Sequence, residues 1–248
     1  MGFFSSLGSA ISSGFNAVSS AFSTVCSTVS SIGSAVASFA HHIKPVLGPL
    51  LTTLANEIPH PLAKSVANFA NALLHSLAIF HPTETVQDMG DRALQAAEQG
   101  ITIDKFDKFD EYMSTLRDFD INPELSGKHT TVEKFVAGLG IATVGIEDKF
   151  NAEPGSLNDI WLLPLTNSEY FTPDRIKSLL ENGKMIGDAS AYLAKSMSGE
   201  DASEFRKNLE VTPEGKPMND SELCNLYDAL DKSHAEWAEL DKQIKASD

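Results

Sequence analysis

Charged side chains are missing from the first 43 residues of the chain, where no Asp, Glu, Lys or Arg occurs. The first charge is Lys44, and only Glu57 and Lys64 follow before Glu84. A soluble coiled coil normally carries charges beside its apolar seam. A helix that lies on a membrane surface normally carries basic residues on its polar face. Neither ordinary arrangement therefore accounts for this stretch.

Several other features are scarce. The chain has two cysteines, Cys26 and Cys224, without a CxxC pair, so neither a zinc site nor a disulfide framework is indicated. The sequence contains no run of 18 fully apolar residues, so an ordinary transmembrane helix is not predicted. The start lacks the basic region and compact apolar core of a secretory signal. No segment alternates apolar and polar residues as a half-buried strand does, so the sequence predicts an all-α protein.

Large apolar residues recur through the uncharged stretch at alternating spacings of four and three, which is a heptad pattern. This stripe, which we interpret as a membrane or oligomerisation surface, comprises Ile11, Phe15, Val18, Phe22, Val25, Val29, Ile32, Val36, Phe39 and Ile43. Apart from His41 and His42, the residues between are small, which favours close helix packing, also in lipid. We expect one long helix from Ser9 to Ile43, ended before Pro45. The alternatives are a flexible Ser-rich tail and a helix buried in its own domain.

A second apolar helix is predicted from Pro61 to Phe80, and the charge balance changes just after it. Residues 1–83 carry two Lys and one Glu, or +1, whereas residues 84–248 carry 17 basic and 33 acidic groups, or −16. We therefore place a domain boundary near residue 83 and expect residues 84–248 to fold alone. Residues 84–248 lack the excess of Lys and Arg that nucleic-acid-binding surfaces carry, which argues against nucleic-acid binding by this part of the chain.

Helix-capping and helix-ending signals divide the acidic part into short helices. The predicted segments are Thr85 to Gly100, Ile103 to Phe119, Thr131 to Ile146, Thr172 to Asn182, Met185 to Met197, Ala202 to Leu209 and Asn219 to Ile244. We expect Gly138, Gly140 and Gly145 to break the third of them.

Tests for chemistry give no enzyme signature. The loop from Asp118 to Glu124 begins like an EF-hand, but Pro123 and His129 replace the required Gly and Glu, so tight calcium binding is not expected. No dinucleotide fingerprint, P-loop, HExxH or GxSxG motif occurs. The carboxylates between Asp104 and Glu111 are interpreted as a solvated face. We predict no catalytic residues, metal, cofactor or small-molecule substrate.

In general character, Met1 to Phe39 resembles the glycine-, serine- and alanine-rich hydrophobic starts of viral minor structural, penetration and DNA-ejection proteins. The resemblance is compositional and covers about a sixth of the chain. It implies a non-enzymatic structural protein of a virus particle or similar delivery assembly, whose partners are copies of itself, other proteins or a membrane. The alternatives are a secreted α-helical pore-forming toxin or effector, and an acidic adaptor without a membrane role. The favoured location is a virion, or a secreted or membrane-associated state.

Overall fold

A computed structural model describes residues 15–56, 61–185 and 187–245 of the 248-residue chain, the side chains of 15–21, 46–56, 61–66, 240 and 243–245 excepted. Among the described residues, 17–158 form one compact unit and 159–245 belong to a second. Every regular element of the described residues is helical, and their one β-bridge joins Val211 and Pro217. The predicted all-α class is confirmed.

The first unit consists of helices joined by short turns. Its α-helices are α1 (Phe15–Val29, in this unit from Ala17 onward), α2 (Ser34–Asn56), α3 (Pro61–Ser76), α4 (Val86–Glu98), α5 (Phe109–Asp118), α6 (Pro123–Ser126) and α7 (Thr131–Phe150). Single 3₁₀ turns lie at Ser30–Ile32 and Ile103–Lys105. The N-cap Thr85 accepts a hydrogen bond from Asp88 N, as its position in the sequence predicts.

The predicted single helix from Ser9 to Ile43 is wrong for the described residues, because Ser30–Gly33 turns the chain between α1 and α2. Gly33 has φ +151°, and a Cβ there would lie 2.5 Å from Ile103 Cγ2, so glycine fits both the backbone and the close approach. The predicted stop is also wrong, since α2 continues through Pro45 and Pro49. A proline removes one backbone hydrogen bond from a helix without necessarily ending it.

The segment from Ile103 to Phe119 is not one helix either. A 3₁₀ turn at Ile103–Lys105 is followed by extended backbone at Phe106 and Lys108 before α5 begins. Phe106 there reaches the ring of Tyr112, with 5.4 Å between the ring centres. The apolar spacing thus continues across two elements, because both bury their side chains in the same core.

Glycines allow α4 and α7 to cross with their backbones in contact. A Cβ on Gly90 would lie 1.8 Å from Lys134 O, and one on Gly138 would lie 1.9 Å from Val86 O. Gly145 likewise faces the ring of Phe109. The expected breaks at Gly138, Gly140 and Gly145 are therefore wrong: α7 is continuous, and its glycines admit neighbouring elements.

The predicted domain boundary near residue 83 falls inside the first unit. The helix α2 packs along α7, and the turn at Ser30–Ile32 packs on α4. Residues before and after position 83 consequently share one core. The change of charge at this position marks a change in surface composition.

The second unit contains five α-helices among its described residues. They are α8 (Leu162–Thr166), α9 (Pro173–Glu181), α10 (Ala189–Leu193), α11 (Gly199–Leu209) and α12 (Asp220–Lys245). The predicted caps are present: Thr172 Oγ1 accepts from Arg175 N, and Asn219 and Glu222 form a reciprocal capping box. Phe171, Leu226 and Leu230 are buried in its core.

Candidate functional site: the uncharged helical hairpin

The helices α1 and α2 run antiparallel as a hairpin. Cys26 Sγ lies 3.5 Å from Ala40 O, and Lys44 Nζ donates to Ser23 Oγ at 2.9 Å. These two pairings progress in opposite directions along the two helices, as an antiparallel hairpin requires. Burial raises the pKa of the Cys26 thiol despite the positive charge of Lys44, so this cysteine is a small apolar packing residue.

The inner face of the hairpin carries the apolar stripe. All seven stripe residues whose side chains are described are buried, namely Phe22, Val25, Val29, Ile32, Val36, Phe39 and Ile43. The stripe meets α7 at Gly140, where a Cβ would lie 2.8 Å from Val36 Cγ1 and 3.2 Å from Phe39 Cδ1. The missing side chain at position 140 thus makes room for the stripe. Ile11 and the side chains of Phe15 and Val18 lie outside the described residues.

The outer face of the hairpin is exposed and has no Asp, Glu, Lys or Arg from position 22 to position 43. Its exposed residues are six hydroxyl residues and two histidines, namely Ser23, Thr24, Ser27, Ser31, Ser34, Ser38, His41 and His42. Some hydroxyls in this part of the hairpin donate back to carbonyls three or four residues earlier: Ser30 Oγ to Cys26 O at 2.6 Å, and Ser31 Oγ to Thr28 O at 2.7 Å. Such back-bonding lets hydroxyl residues enter apolar surroundings.

Two carboxylates from the acidic part of the sequence hold the hairpin. Asp104 accepts from Ser34 N at 2.8 Å and from Ser34 Oγ at 2.9 Å, so it caps the start of α2 from a distant turn. Glu133 accepts from Thr28 Oγ1 at 2.7 Å. The same Glu133 completes the capping box of α7 with Thr130. The hairpin is thereby docked by polar contacts at its turn as well as by the stripe.

A polar centre of dispersed residues lies elsewhere in the first unit, around the buried Asp91. Its Oδ2 accepts from Ser126 Oγ and lies 3.2 Å from Lys134 Nζ, which also donates to Ser126 Oγ at 2.9 Å. Gln95 Nε2 donates to Asp91 Oδ1 at 3.2 Å. Burial would raise the pKa of Asp91, but the hydrogen bonds from Ser126, Gln95 and Lys134 outweigh it and keep this pKa below its usual value.

The polar centre contains the residue types of a catalytic triad but not its arrangement. His129 Nδ1 lies 3.5 Å from Asp91 Oδ1, and its Nε2 lies 3.4 Å from Glu98 Oε1, so the imidazole pairs with carboxylates on both sides. The Ser126 hydroxyl donates its hydrogen bond to Asp91 and not to His129. Activation of a serine as a nucleophile needs an adjacent base such as histidine. Lys134 is paired with a carboxylate. The arrangement instead ties the short helix α6 to α4 and α7.

The loop from Asp118 to Glu124, which begins like an EF-hand, makes local hydrogen bonds that order it. Asn122 Oδ1 accepts from Glu124 N, and Asn122 N donates to Gln95 Oε1 at 2.9 Å. Phe119 O accepts from Arg92 Nη1 at 2.5 Å. Within the described residues, no group of three or more His, Cys, Asp or Glu side chains is arranged to hold a metal ion. The loop is thus ordered by neighbouring side chains.

Sequence reasoning missed the polar centre because Asp91, Ser126 and Lys134 are far apart along the chain. One signal was present. Asp91 and Gln95 are one turn apart in a predicted helix, and the structure buries both side chains. Because a buried polar pair requires partners, the two residues could have been singled out, although Ser126 and Lys134 could not have been identified as those partners.

A second carboxylate with little exposure, Glu84, forms a bidentate pair with Arg117. The Nε–Oε1 distance is 2.7 Å and the Nη2–Oε2 distance is 3.1 Å. Burial would raise the pKa of Glu84, but the hydrogen bonds from Arg117 and from His81 N more than offset it, so the pKa is lowered. Removing either charge of such a pair leaves the other with no equivalent partner.

We expect acid to destabilise the first unit through Glu84 and Asp91. A carboxyl whose pKa is lower in the folded state contributes its full stability above the unfolded pKa, and loses it as the pH falls through the folded value. With unfolded values of about 4, the loss from these two groups sets in below about pH 5. Urea unfolding between pH 6 and pH 3 measures it. Asp91→Asn and Glu84→Gln should each reduce the acid-induced loss, and a wild-type pH dependence in the double variant would contradict the assignment.

Comparisons with known proteins place the chain in no family: no family model, no curated protein and no solved structure matches it. The class that the structure defines is an all-α protein of two units, in which α1 and α2 form a hairpin without Asp, Glu, Lys or Arg from position 22 to position 43. Among the described residues, no helix combines the length and the apolar character needed to cross a membrane.

Proposed function

We propose that the protein is a non-enzymatic helical structural component of a virus particle or a similar delivery assembly, and that its N-terminal helices make the assembly or membrane contacts. The observation that carries the proposal is the two-sided hairpin. Its inner face is an apolar stripe, and its outer face presents the neutral hydroxyl groups of six exposed residues. Removing neutral hydroxyls from water costs far less than removing charges, so this face is suited to contact with another protein.

The partner for the outer face is a further copy of the chain or another helical protein of the assembly. Small side chains such as those of Ser27, Ser31 and Ser38 let two helix backbones approach closely. The acidic surface of the remaining chain keeps copies apart elsewhere, because like charges repel. The hairpin face from position 22 to position 43, which has no Asp, Glu, Lys or Arg, is then the part of the chain where two copies repel each other least.

A second candidate function, a secreted pore-forming toxin or effector, is favoured by the covered state of the stripe. The stripe side chains of Phe22 through Ile43 are buried inside the unit, and Thr28 and Ser34 donate hydrogen bonds to Glu133 and Asp104. For the stripe to meet a membrane, the hairpin has to separate from α7 and break these contacts. In this function, the acidic part of the chain keeps the hairpin soluble until release.

A reversible disulfide between α2 and α7 distinguishes the two candidates. A Cβ at position 140 would lie 3.5 Å from Val36 Cβ, which is within the range of disulfides. Val36→Cys with Gly140→Cys should therefore cross-link the docked hairpin, and Cys224→Ser removes the exposed thiol. Under the structural proposal, the oxidised protein still assembles, as measured by sedimentation velocity and co-purification with particles. Under the toxin alternative, oxidation abolishes dye release from liposomes and reductant restores it.

The Val36→Cys variant with Cys224→Ser, oxidised in parallel, is the matched control because it cannot form the cross-link. Loss of assembly on oxidation of the double-cysteine protein, with full recovery on reduction, would show that assembly uses a released hairpin. A monomer that neither assembles nor permeabilises liposomes in either redox state would leave the acidic adaptor as the remaining function.

A further inference from the structure

A cleft of about 440 Å³ lies between α10 and α11 in the second unit. Its floor is apolar and includes Ala191, Met197 and Phe205, whereas three carboxylates, Asp188, Asp201 and Glu204, lie along its rim. The described residues that line it include no Lys, Arg or His. The cleft therefore combines an apolar floor with a rim that carries only negative charge.

The floor is braced by stacked rings. The ring of Phe205 stacks on Tyr192 with 4.6 Å between centres, and Tyr192 contacts the His234 ring at 4.9 Å. His234 Nδ1 lies 3.1 Å from Leu193 O, which fixes the orientation of the imidazole. Gly187 closes against the Phe205 ring, since a Cβ there would lie 2.9 Å from it. These contacts make the floor a surface formed before any partner arrives.

The rim carboxylates are also positioned by local structure. Asp188 Oδ1 accepts from Ala191 N at 2.7 Å as the N-cap of α10, and Asp201 Oδ2 accepts from Ser198 Oγ at 2.7 Å. Glu204 lies one turn further along α11 and is exposed. Residues 159–248 contain 18 acidic and 10 basic residues, a net charge of −8. The negative rim is therefore part of a negative unit, which attracts cations over a longer range.

We propose that this cleft is a docking site for a basic, amphipathic segment of a partner protein. The aliphatic stem of a Lys or Arg side chain fits the bed of Met197 and Ala191, and its cationic head meets Asp201 and Glu204, as long basic side chains do at apolar surfaces with a polar rim. Complementary charge steers such a partner and excludes a second acidic copy of the chain.

A peptide segment suits the cleft better than a single small amine. Three carboxylates surround one apolar bed, so a single bound cation leaves negative charge uncompensated, whereas a segment with several basic residues neutralises the rim and fills the floor together. The inference concerns the second unit, and it does not depend on the assembly role proposed for the hairpin.

Methyl NMR of the full-length chain with labelled methionines tests the proposal. The probe is an amphipathic helical peptide of Lys and Leu, and oligolysine of the same charge is its control. We expect a saturable shift of the Met197 methyl signal with the Lys–Leu peptide, while Met89 and Met113, buried in the first unit, stay unchanged. An unshifted Met197 would overturn the proposal. So would equal affinity for oligolysine, because the cleft would then act only as negative charge.

Charge reversal at matched positions provides a second test. Glu204→Lys places a cation on the rim, and Glu214→Lys makes the same change in an exposed turn of the same unit, away from the lining of the cleft. We expect Glu204→Lys to weaken the Lys–Leu peptide at least about tenfold and Glu214→Lys less than about twofold. Equal weakening by both variants would overturn the proposal, since net charge alone would then explain the binding.

Discussion

Gly138→Ala is expected to destabilise residues 17–158 strongly, although it adds only one methyl group. The added Cβ would lie 1.9 Å from Val86 O, a backbone atom that cannot rotate away. Relief requires α4 and α7 to move apart along their whole crossing, which loosens the packing on both sides. Overpacking of this kind typically costs up to about 3 kcal/mol, and a backbone clash lies at or beyond that limit. Urea unfolding followed by circular dichroism measures the loss of unfolding free energy.

Gly127→Ala is the matched control for this prediction. Gly127 belongs to the same unit and has φ −66°, and its added Cβ would come no closer than 3.5 Å to another atom. This substitution should leave the unfolding free energy within about 1 kcal/mol of wild type, with a slight gain from lower chain entropy. If Gly138→Ala and Gly127→Ala unfolded at the same urea concentration, the close crossing of α4 and α7 would be refuted.

Val25→Asp is the second large effect that we expect. Val25 is 5 % exposed on the inner face of the hairpin, so an aspartate there either buries an unpaired charge or takes up a proton. Loss of the valine packing adds to this effect, and together they should lower the unfolding free energy by several kcal/mol. A fall of the thermal midpoint, measured by circular dichroism, would report it at neutral pH.

Ser27→Asp adds the same charge two residues along, on the exposed outer face. It should leave the unfolding free energy nearly unchanged, because the carboxylate stays in water. If the outer face makes the assembly contacts, the same variant should assemble less well by sedimentation velocity, since its charge would be desolvated in the contact. Wild-type stability of Val25→Asp would contradict the burial of the stripe, and wild-type assembly of Ser27→Asp would count against the outer face as the contact.

These two variants also separate two roles that the sequence had combined. From the sequence alone, the stripe is the obvious surface for oligomers or lipid, because it is the apolar one. In the folded chain, all described stripe side chains are buried, those of Val36 and Phe39 against α7, and the exposed residues of the hairpin are hydroxyl residues and histidines. Membrane or oligomer contacts by the stripe remain a prediction that the reversible cross-link tests.

The sequence by itself determined the helical class and the helix starts that carry side-chain caps. Caps such as Thr85, Thr172 and the Asn219–Glu222 pair act over three residues, so their effect is present in any local window of sequence. The phase of the apolar stripe was readable for the same reason. Seven of its residues face one core because a helix repeats its contacts every three or four positions.

Only the tertiary structure decided what each face meets. The sequence predicts helix breaks at Gly138 and Gly140, yet both glycines are sites of close packing. Val86 occupies the space beside Gly138, and Val36 occupies the space beside Gly140. The partners of Asp91 come from residues 126 and 134, and the cap of Ser34 comes from Asp104. Such pairings depend on which helices are neighbours. That choice is made by the packing of the whole unit, and no short stretch of sequence contains it.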